Sequence, residues 1–163
     1  MTKKEIVDSI IKNGGVMIKE VTVKNVTVRV KENYAEVCLT LDRNIPGMKA
    51  GENGNSEPGE TNIVWTTSIA VEANLKNNRN TAFVANHVNR YPMALEQLLS
   101  YAKINIIQEF VTAGQEYTDP WSSKEKTVVF QKDQYKTHLV DIVELSEVGQ
   151  RALDKISDKS LGL

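Results

Sequence analysis

Val16-Met17-Ile18-Lys19-Glu20-Val21-Thr22-Val23-Lys24-Asn25-Val26-Thr27-Val28-Arg29-Val30 is the stretch on which the fold turns. Its valines alternate with polar residues at the period of two that marks a strand with one buried face. Val21 and Val23 share one parity and Val26, Val28 and Val30 the other, so the phase slips once, at Lys24-Asn25. An uncorrected slip would turn every later side chain to the wrong face, and a β-bulge absorbs it. The stretch therefore predicts one long, bulged strand that bends to serve two parts of a curved sheet. Arg29 and Lys31 lie on the parity opposite Val26, Val28 and Val30, and are expected to face outward.

Working outward, Thr2 and Glu5 have the spacing of a capping box, and Ile6, Val7, Ile10 and Ile11 line a helical stripe that Gly14-Gly15 stops. After a turn at Glu32-Asn33, Ala35, Val37, Leu39 and Leu41 predict a second strand, with Cys38 on its other face and Tyr34 exposed or at a barrel mouth. Residues 44–60 hold Pro46, Pro58 and four glycines (Gly47, Gly51, Gly54, Gly59), the composition of a flexible loop. Thr61 to Leu75 alternates again, with Ile63, Trp65, Thr67, Ile69, Val71, Ala73 and Leu75 on one side, which places Trp65 in the core. Lys76-Asn77-Asn78-Arg79-Asn80 is a polar turn, and residues 81–90 carry no clear pattern.

Pro92 suits a first helical turn, and Ala94, Leu95, Leu98, Leu99 and Ala102 follow at helical spacing. A fourth strand is expected from Ile104 through Ile106, Ile107 and Phe110 to about Tyr117; a connection carrying Asp119-Pro120-Trp121 leads to Thr127–Gln131, and a final strand runs from about Tyr135 to Leu145. Ser146 caps a closing helix bearing Val148, Ala152, Leu153 and Ile156. The fold class is thus mainly β with flanking helices, in the order β-β-β-α-β-β between an N- and a C-terminal helix. That is the element order of an OB-like barrel. A single domain over residues 1–163 is expected: a helix at 1–15, a barrel at 16–145, and a helix and tail at 146–163.

The chemistry is constrained mostly by what is missing. The chain has 163 residues, one cysteine and a formal net charge of −1. It holds no phosphate-binding glycine loop, no nucleophile elbow and no metal-ligand spacing around His87 or His138. His138 reads as a structural histidine and Cys38 as a passive thiol. Asp141 and Glu144, near a strand end, read as solvated carboxylates. No enzyme, metal or cofactor is expected. The opening segment is not a signal peptide, and no apolar run approaches the roughly 20 residues of a membrane span. Together with the lone cysteine, this points to a reducing, cytoplasmic setting.

Near-neutral charge argues against a general duplex binder, whose affinity comes from neutralised phosphates. It weighs less against a single-strand binder, in which aromatic rings stack on bases. Tyr117, Trp121, Lys124, Lys126, Lys132, Tyr135 and Lys136, with Phe130, interleave rings and ammonium groups in that manner. The competing reading makes Trp121 and Phe130 a plug and the lysines a solvated rim. Arg29, Lys31 and Arg43 are candidates to extend a phosphate track, with Tyr34 beside them.

The run Leu95-Glu96-Gln97-Leu98-Leu99-Ser100-Tyr101-Ala102-Lys103-Ile104-Asn105-Ile106 resembles the helix-to-fourth-strand passage of OB-fold single-stranded DNA-binding proteins of phage and bacterial type. There a Leu-rich helix passes through a small residue into a strand that begins with a base, here Lys103. The closing hairpin, Gly114 to Leu145, is similar in position, so the resemblance covers roughly residues 16–145. It implies a non-enzymatic partner of single-stranded DNA or RNA, such as a phage replication or recombination accessory in the host cytoplasm. The loop at 44–60 and the N-terminal helix are additions to that pattern, and Asp158-Lys159-Ser160-Leu161-Gly162-Leu163 is not the family's acidic tail. A second expectation is a structural or protein-interaction module, such as a virion or assembly component or a homo-oligomer. It rests on the near-neutral charge, the two apolar-faced helices and Glu52, Glu57 and Glu60 in the glycine-rich segment.

Overall fold

The computed structural model describes residues 2–32, 34–68, 70–71, 92–121 and 127–160. The polar turn at Lys76–Asn80, Ala73, Leu75, His87, Lys124 and Lys126 fall outside them, as do the side chains of Ala94 and Ile156. In chain order the elements are α1 (Lys3–Lys12), β1 (Val16–Val30), β2 (Ala35–Ala50), β3 (Ser56–Thr67), α2 (Pro92–Leu99), β4 (Lys103–Val111), β5 (Glu116–Thr118), β6 (Thr127–Val129), β7 (Gln134–Glu144) and α3 (Glu147–Ser160).

β1 divides itself between two neighbours. Its first part pairs antiparallel with β4, Val16 opposite Gln108 and Thr22 opposite Lys103. Its second part pairs antiparallel with β2, Val23 opposite Leu41 and Val30 opposite Ala35. The register to β2 shifts between Val23 and Asn25, where the valine phase slips. A further irregularity, between Ile18 and Val21, leaves no mark in the valine pattern. Glu20 sits there at φ 54°, a left-handed conformation that costs a side-chain-bearing residue about 1–2 kcal/mol. A chain of contacts holds it. The Glu20 N–H donates to Asn105 Oδ1 at 2.8 Å, Asn105 Nδ2 donates to Asp141 Oδ2 at 3.0 Å, and Lys3 Nζ meets Asp141 Oδ1 at 2.9 Å. Asp141, expected to be solvated, is therefore a structural acceptor. Partial burial pushes its carboxyl up, but Lys3 and Asn105 outweigh that and hold it below the usual range.

The five long strands form one antiparallel sheet in the order β3-β2-β1-β4-β7, and the sheet is not closed into a barrel. Cα atoms of β3 and β7 come within 8 Å of each other without pairing as strands. β5 and β6 make a separate small hairpin.

Residues 44–60 are not the loop that their composition suggests. β2 runs to Ala50 and β3 starts at Ser56, so only the tip turns, and Pro46 lies opposite Glu60, Gly47 opposite Gly59 and Met48 opposite Pro58. The prolines are tolerated because β3 is an edge strand and β2 has left β1 behind by Leu41, so no second ladder needs their N–H. A Cβ on Gly47 would lie 2.5 Å from Thr61 Cγ2. Here glycine permits close packing within a strand. β3 ends at Thr67, not Leu75, and Ser68, Ala70 and Val71 are helical.

Inside the curve, Val21, Val23, Val37, Leu39, Ile104, Ile106 and Leu139 pack against Leu95, Leu98 and Leu99 of α2 and Leu153 of α3. On the opposite face, Ile10 of α1 packs on Ile107 and Val140. Thr2 caps α1 by accepting the Glu5 N–H at 3.2 Å, and Ser146 caps α3 by accepting the Gly149 N–H at 3.1 Å. Trp65 departs from expectation. It is 42% exposed and Ile63 50% exposed, whereas Val64 and Thr66 are buried. Opposite residues in a ladder share a face, and Leu39 and Val37, which point inward, sit opposite Val64 and Thr66. Register with β2 thus overrides the side-chain bulk that favours the odd parity.

Ile107→Ala is expected to cost about 2–5 kcal/mol in urea unfolding, as a buried large-to-small change that undocks α1. Ile63→Ala should stay within about 0.5 kcal/mol, as an exposed substitution does. Equal losses would reverse the two faces.

Candidate nucleic-acid interface

The unpaired edges of β3 and β7 border an open cleft of about 1300 Å3. Among the described residues, Tyr34, Ile63 and Trp65 line one wall, and Trp121, Lys132, Tyr135, Lys136 and His138 the other. Each wall follows from its register. Cys38 lies opposite Trp65, and Thr40 opposite Ile63, so those residues form an outward row on the β2–β3 ribbon. Arg29, on the same outward face of β1, places its guanidinium 5.2 Å from the Trp65 ring centroid. Such a contact fixes an indole on a surface while leaving its edge and far side available.

The opposite wall is held by a buried polar relay. Trp121 Nε1 donates to His138 Nδ1 at 2.9 Å, His138 Nε2 lies 2.9 Å from Glu109 Oε1, and the Tyr117 hydroxyl donates to the same oxygen at 2.9 Å. Burial raises the Glu109 carboxyl, but the hydrogen bonds from His138 and Tyr117, with the nearby Lys136 charge, leave it below the usual carboxylate value. Burial first, and then the Glu109 carboxylate, push the Tyr117 phenol far above its ordinary value. The Cys38 thiol is raised by burial, with Arg29 only tempering the shift. A raised thiol beside no positioned base is a poor nucleophile.

The residues singled out from sequence separate into groups. Tyr34, Trp121, Lys132, Tyr135 and Lys136 meet in the cleft, and Arg29 borders it through Trp65. Lys136 holds its ammonium 5.9 Å from both the Tyr117 and Phe130 rings, and Tyr135 leans on Phe110 at 5.2 Å. Tyr117 itself is buried, with its hydroxyl spent on Glu109, so it supports the wall from behind. Lys31 pairs with Glu36 at 3.0 Å. Arg43 is occupied by Asp42 and by the Glu20 carbonyl at 2.9 Å, and Lys103 opens β4 opposite Thr22; neither lines the cleft. Arg29, Lys132 and Lys136 have no carboxylate within 4.0 Å among the described residues. Trp65 and Ile63 are the members that sequence reasoning missed. The signal lay in the inward parity of β2, which becomes legible only once the β2–β3 register is known.

No family model, no curated protein and no solved structure matches the chain. No helix among the described residues is long and apolar enough to cross a membrane.

Because the folded Glu109 carboxyl titrates below its unfolded value of about 4.3, its bonds stabilise the fold fully above that value. The contribution is lost as pH falls through the lower folded one. Urea unfolding of the native chain and Glu109→Gln should therefore show a gap that is fully present above about pH 4.3 and narrows on acidification toward about pH 3. A gap independent of pH would mean that the charge of Glu109 is not what His138 and Tyr117 hold.

Proposed function

We propose that the chain is a non-enzymatic single-stranded DNA-binding protein, an accessory of phage-type replication or recombination in a reducing cytoplasm. The strand would lie along the cleft between β3 and β7. One observation carries the reading: Trp65 stands exposed on the outer face of β2–β3 with Arg29 against its ring, and the cleft beside it also holds Trp121, Tyr135 and two lysines, Lys132 and Lys136, with no carboxylate within 4.0 Å among the described residues. Rings that bases stack on and cations that phosphates meet are the two requirements for holding a single strand without reading its sequence.

The strand arrangement supports the same reading. β1 shared between β2 and β4, a helix between β3 and β4, and β7 added to β4 follow the element order of an OB-fold. Oligonucleotides meet such a barrel on its second and third strands and on the loops between strands one and two and between the last two. Their counterparts here are the Trp65 face, the turn at Tyr34 and the connection bearing Trp121 and Lys132. The net charge of −1 is compatible because Lys132 and Lys136 line the cleft with no carboxylate within 4.0 Å among the described residues, although Glu36, Asp119 and Asp133 line it as well.

A protein-interaction module is the second reading. Val128 and Val129 stand exposed on β6, a three-residue edge that another chain would cover. Light scattering that shows a stable oligomer indifferent to oligonucleotide would favour it.

Titration with oligo-dT at low salt should quench tryptophan emission, and affinity should fall as salt rises. Trp65→Ala should weaken binding about 5- to 150-fold, the equivalent of about 1–3 kcal/mol for one stacked base. Lys132→Ala and Lys136→Ala should each lower the log–log salt slope by about 0.7, one single-strand phosphate contact. Arg43→Ala should change neither. Absence of both quenching and salt-sensitive binding at micromolar protein would rule the function out.

A further inference from the structure

We propose that His138 is a positioning residue of the cleft: in its neutral form it holds the Trp121 indole in place for stacking, and acid releases it. The proposal rests on the nucleic-acid reading of the cleft.

The direction of the hydrogen bonds carries the argument. An indole N–H donates and never accepts. Trp121 Nε1 lies 2.9 Å from His138 Nδ1, so Nδ1 must present a lone pair, and the ring proton sits on Nε2. Nε2 then donates to Glu109 Oε1 at 2.9 Å. His138 is 5% and Glu109 7% exposed, so water competes poorly for either bond. Trp121 is more exposed and lines the cleft, and its backbone N–H donates to Asp119 Oδ1 at 2.9 Å. The chain of bonds thus runs from a ligand-facing ring to a buried anchor.

Several groups surround the imidazole. Glu109 comes from β4, Tyr117 from β5, Asp119 and Trp121 from the connection, and Lys136 from β7. Lys3 of α1 lines the same cleft and is paired with Asp141. Protonation places an N–H on Nδ1 facing the indole N–H, and two donors cannot bond. The imidazolium keeps Glu109, its counter-charge, so Trp121 is the partner that leaves. A stacking platform is lost while the fold keeps its anchor.

Glutamine at 138 separates positioning from bulk structure, because its amide oxygen accepts from Trp121 and its NH2 donates to Glu109, with no titration. Two measurements test the proposal, each made at about pH 7.5 and again at about pH 5.5. In 15N NMR of the ligand-free chain, with Trp65→Phe to assign the two indoles, the Trp121 N–H should be protected relative to its intrinsic exchange rate at the higher pH and lose that protection at the lower. His138→Gln should keep it protected at both. In oligo-dT titration the native chain should lose about tenfold in affinity on acidification, roughly one stacked base, while His138→Gln binds alike at both values. Matching pH profiles for the native chain and His138→Gln would overturn the proposal, as would an indole N–H whose protection is indifferent to pH. If the indole responds and oligo-dT binds at neither pH, the reading of the cleft fails and the ligand role of His138 goes with it.

Discussion

Everything in this chain is arranged around a strand too long for one partner. β1 gives its first half to β4 and its second half to β2, and the two bends between them are what curl the sheet. Neither bend comes free. The one at Glu20 forces a left-handed backbone, and its N–H is satisfied by Asn105, a side chain from the adjacent strand that is itself tethered to Asp141 and Lys3. The helix α1 is thereby joined to the bend twice, once through Lys3 and once through the apolar contact of Ile10 with Ile107 and Val140. Helix docking and the bend at Glu20 are thus tied to one another.

The curl brings β3 and β7 near each other and stops short of joining them, and the space between is where unusual side chains gather. Burial alone would expel a glutamate, a histidine and a tyrosine from beneath a hairpin. They remain because Glu109 Oε1, both His138 ring nitrogens and the Tyr117 hydroxyl meet partners of the right sense, and a bonded buried network is rigid where an unbonded one is costly. Rigidity behind the wall lets exposed rings in front of it keep one orientation without their own packing. The Trp65 side solves the same problem differently, with a guanidinium laid against the ring.

Much of this was readable from residues alone, and the failures share a cause. The valine slip at Lys24 marked a real change of register, and Thr2 and Ser146 cap the helices that they precede. These are local signals, written in consecutive residues. The second bend was invisible because its reason lies in Asn105 and Asp141, far along the chain. Residues 44–60 look like a loop by composition, yet proline and glycine are harmless in a ribbon with a single neighbour. Parity with Ile63, Ile69 and Val71 puts Trp65 in the core, whereas its face is decided by which residue of β2 lies opposite. The cleft could be anticipated in its second half, since Trp121, Lys132, Tyr135 and Lys136 are near in sequence. The half contributed by β2 and β3 depends on pairing, which no single strand records.

The division of β1 also orders the chain's assembly in time. Its pairing with β2 closes a short turn, Val30 beside Ala35, and β2 and β3 close another. Its pairing with β4 brings Val16 to Gln108 and must wait for a much larger loop. Topologies with such distant pairings fold slowly relative to those built from neighbours. During synthesis the β1–β2–β3 meander can form first, with Val21 and Val23 uncovered and one edge of β1 unpaired until β4 and α2 emerge. That interval, more than any weakness of the finished sheet, is when the chain is most prone to aggregate.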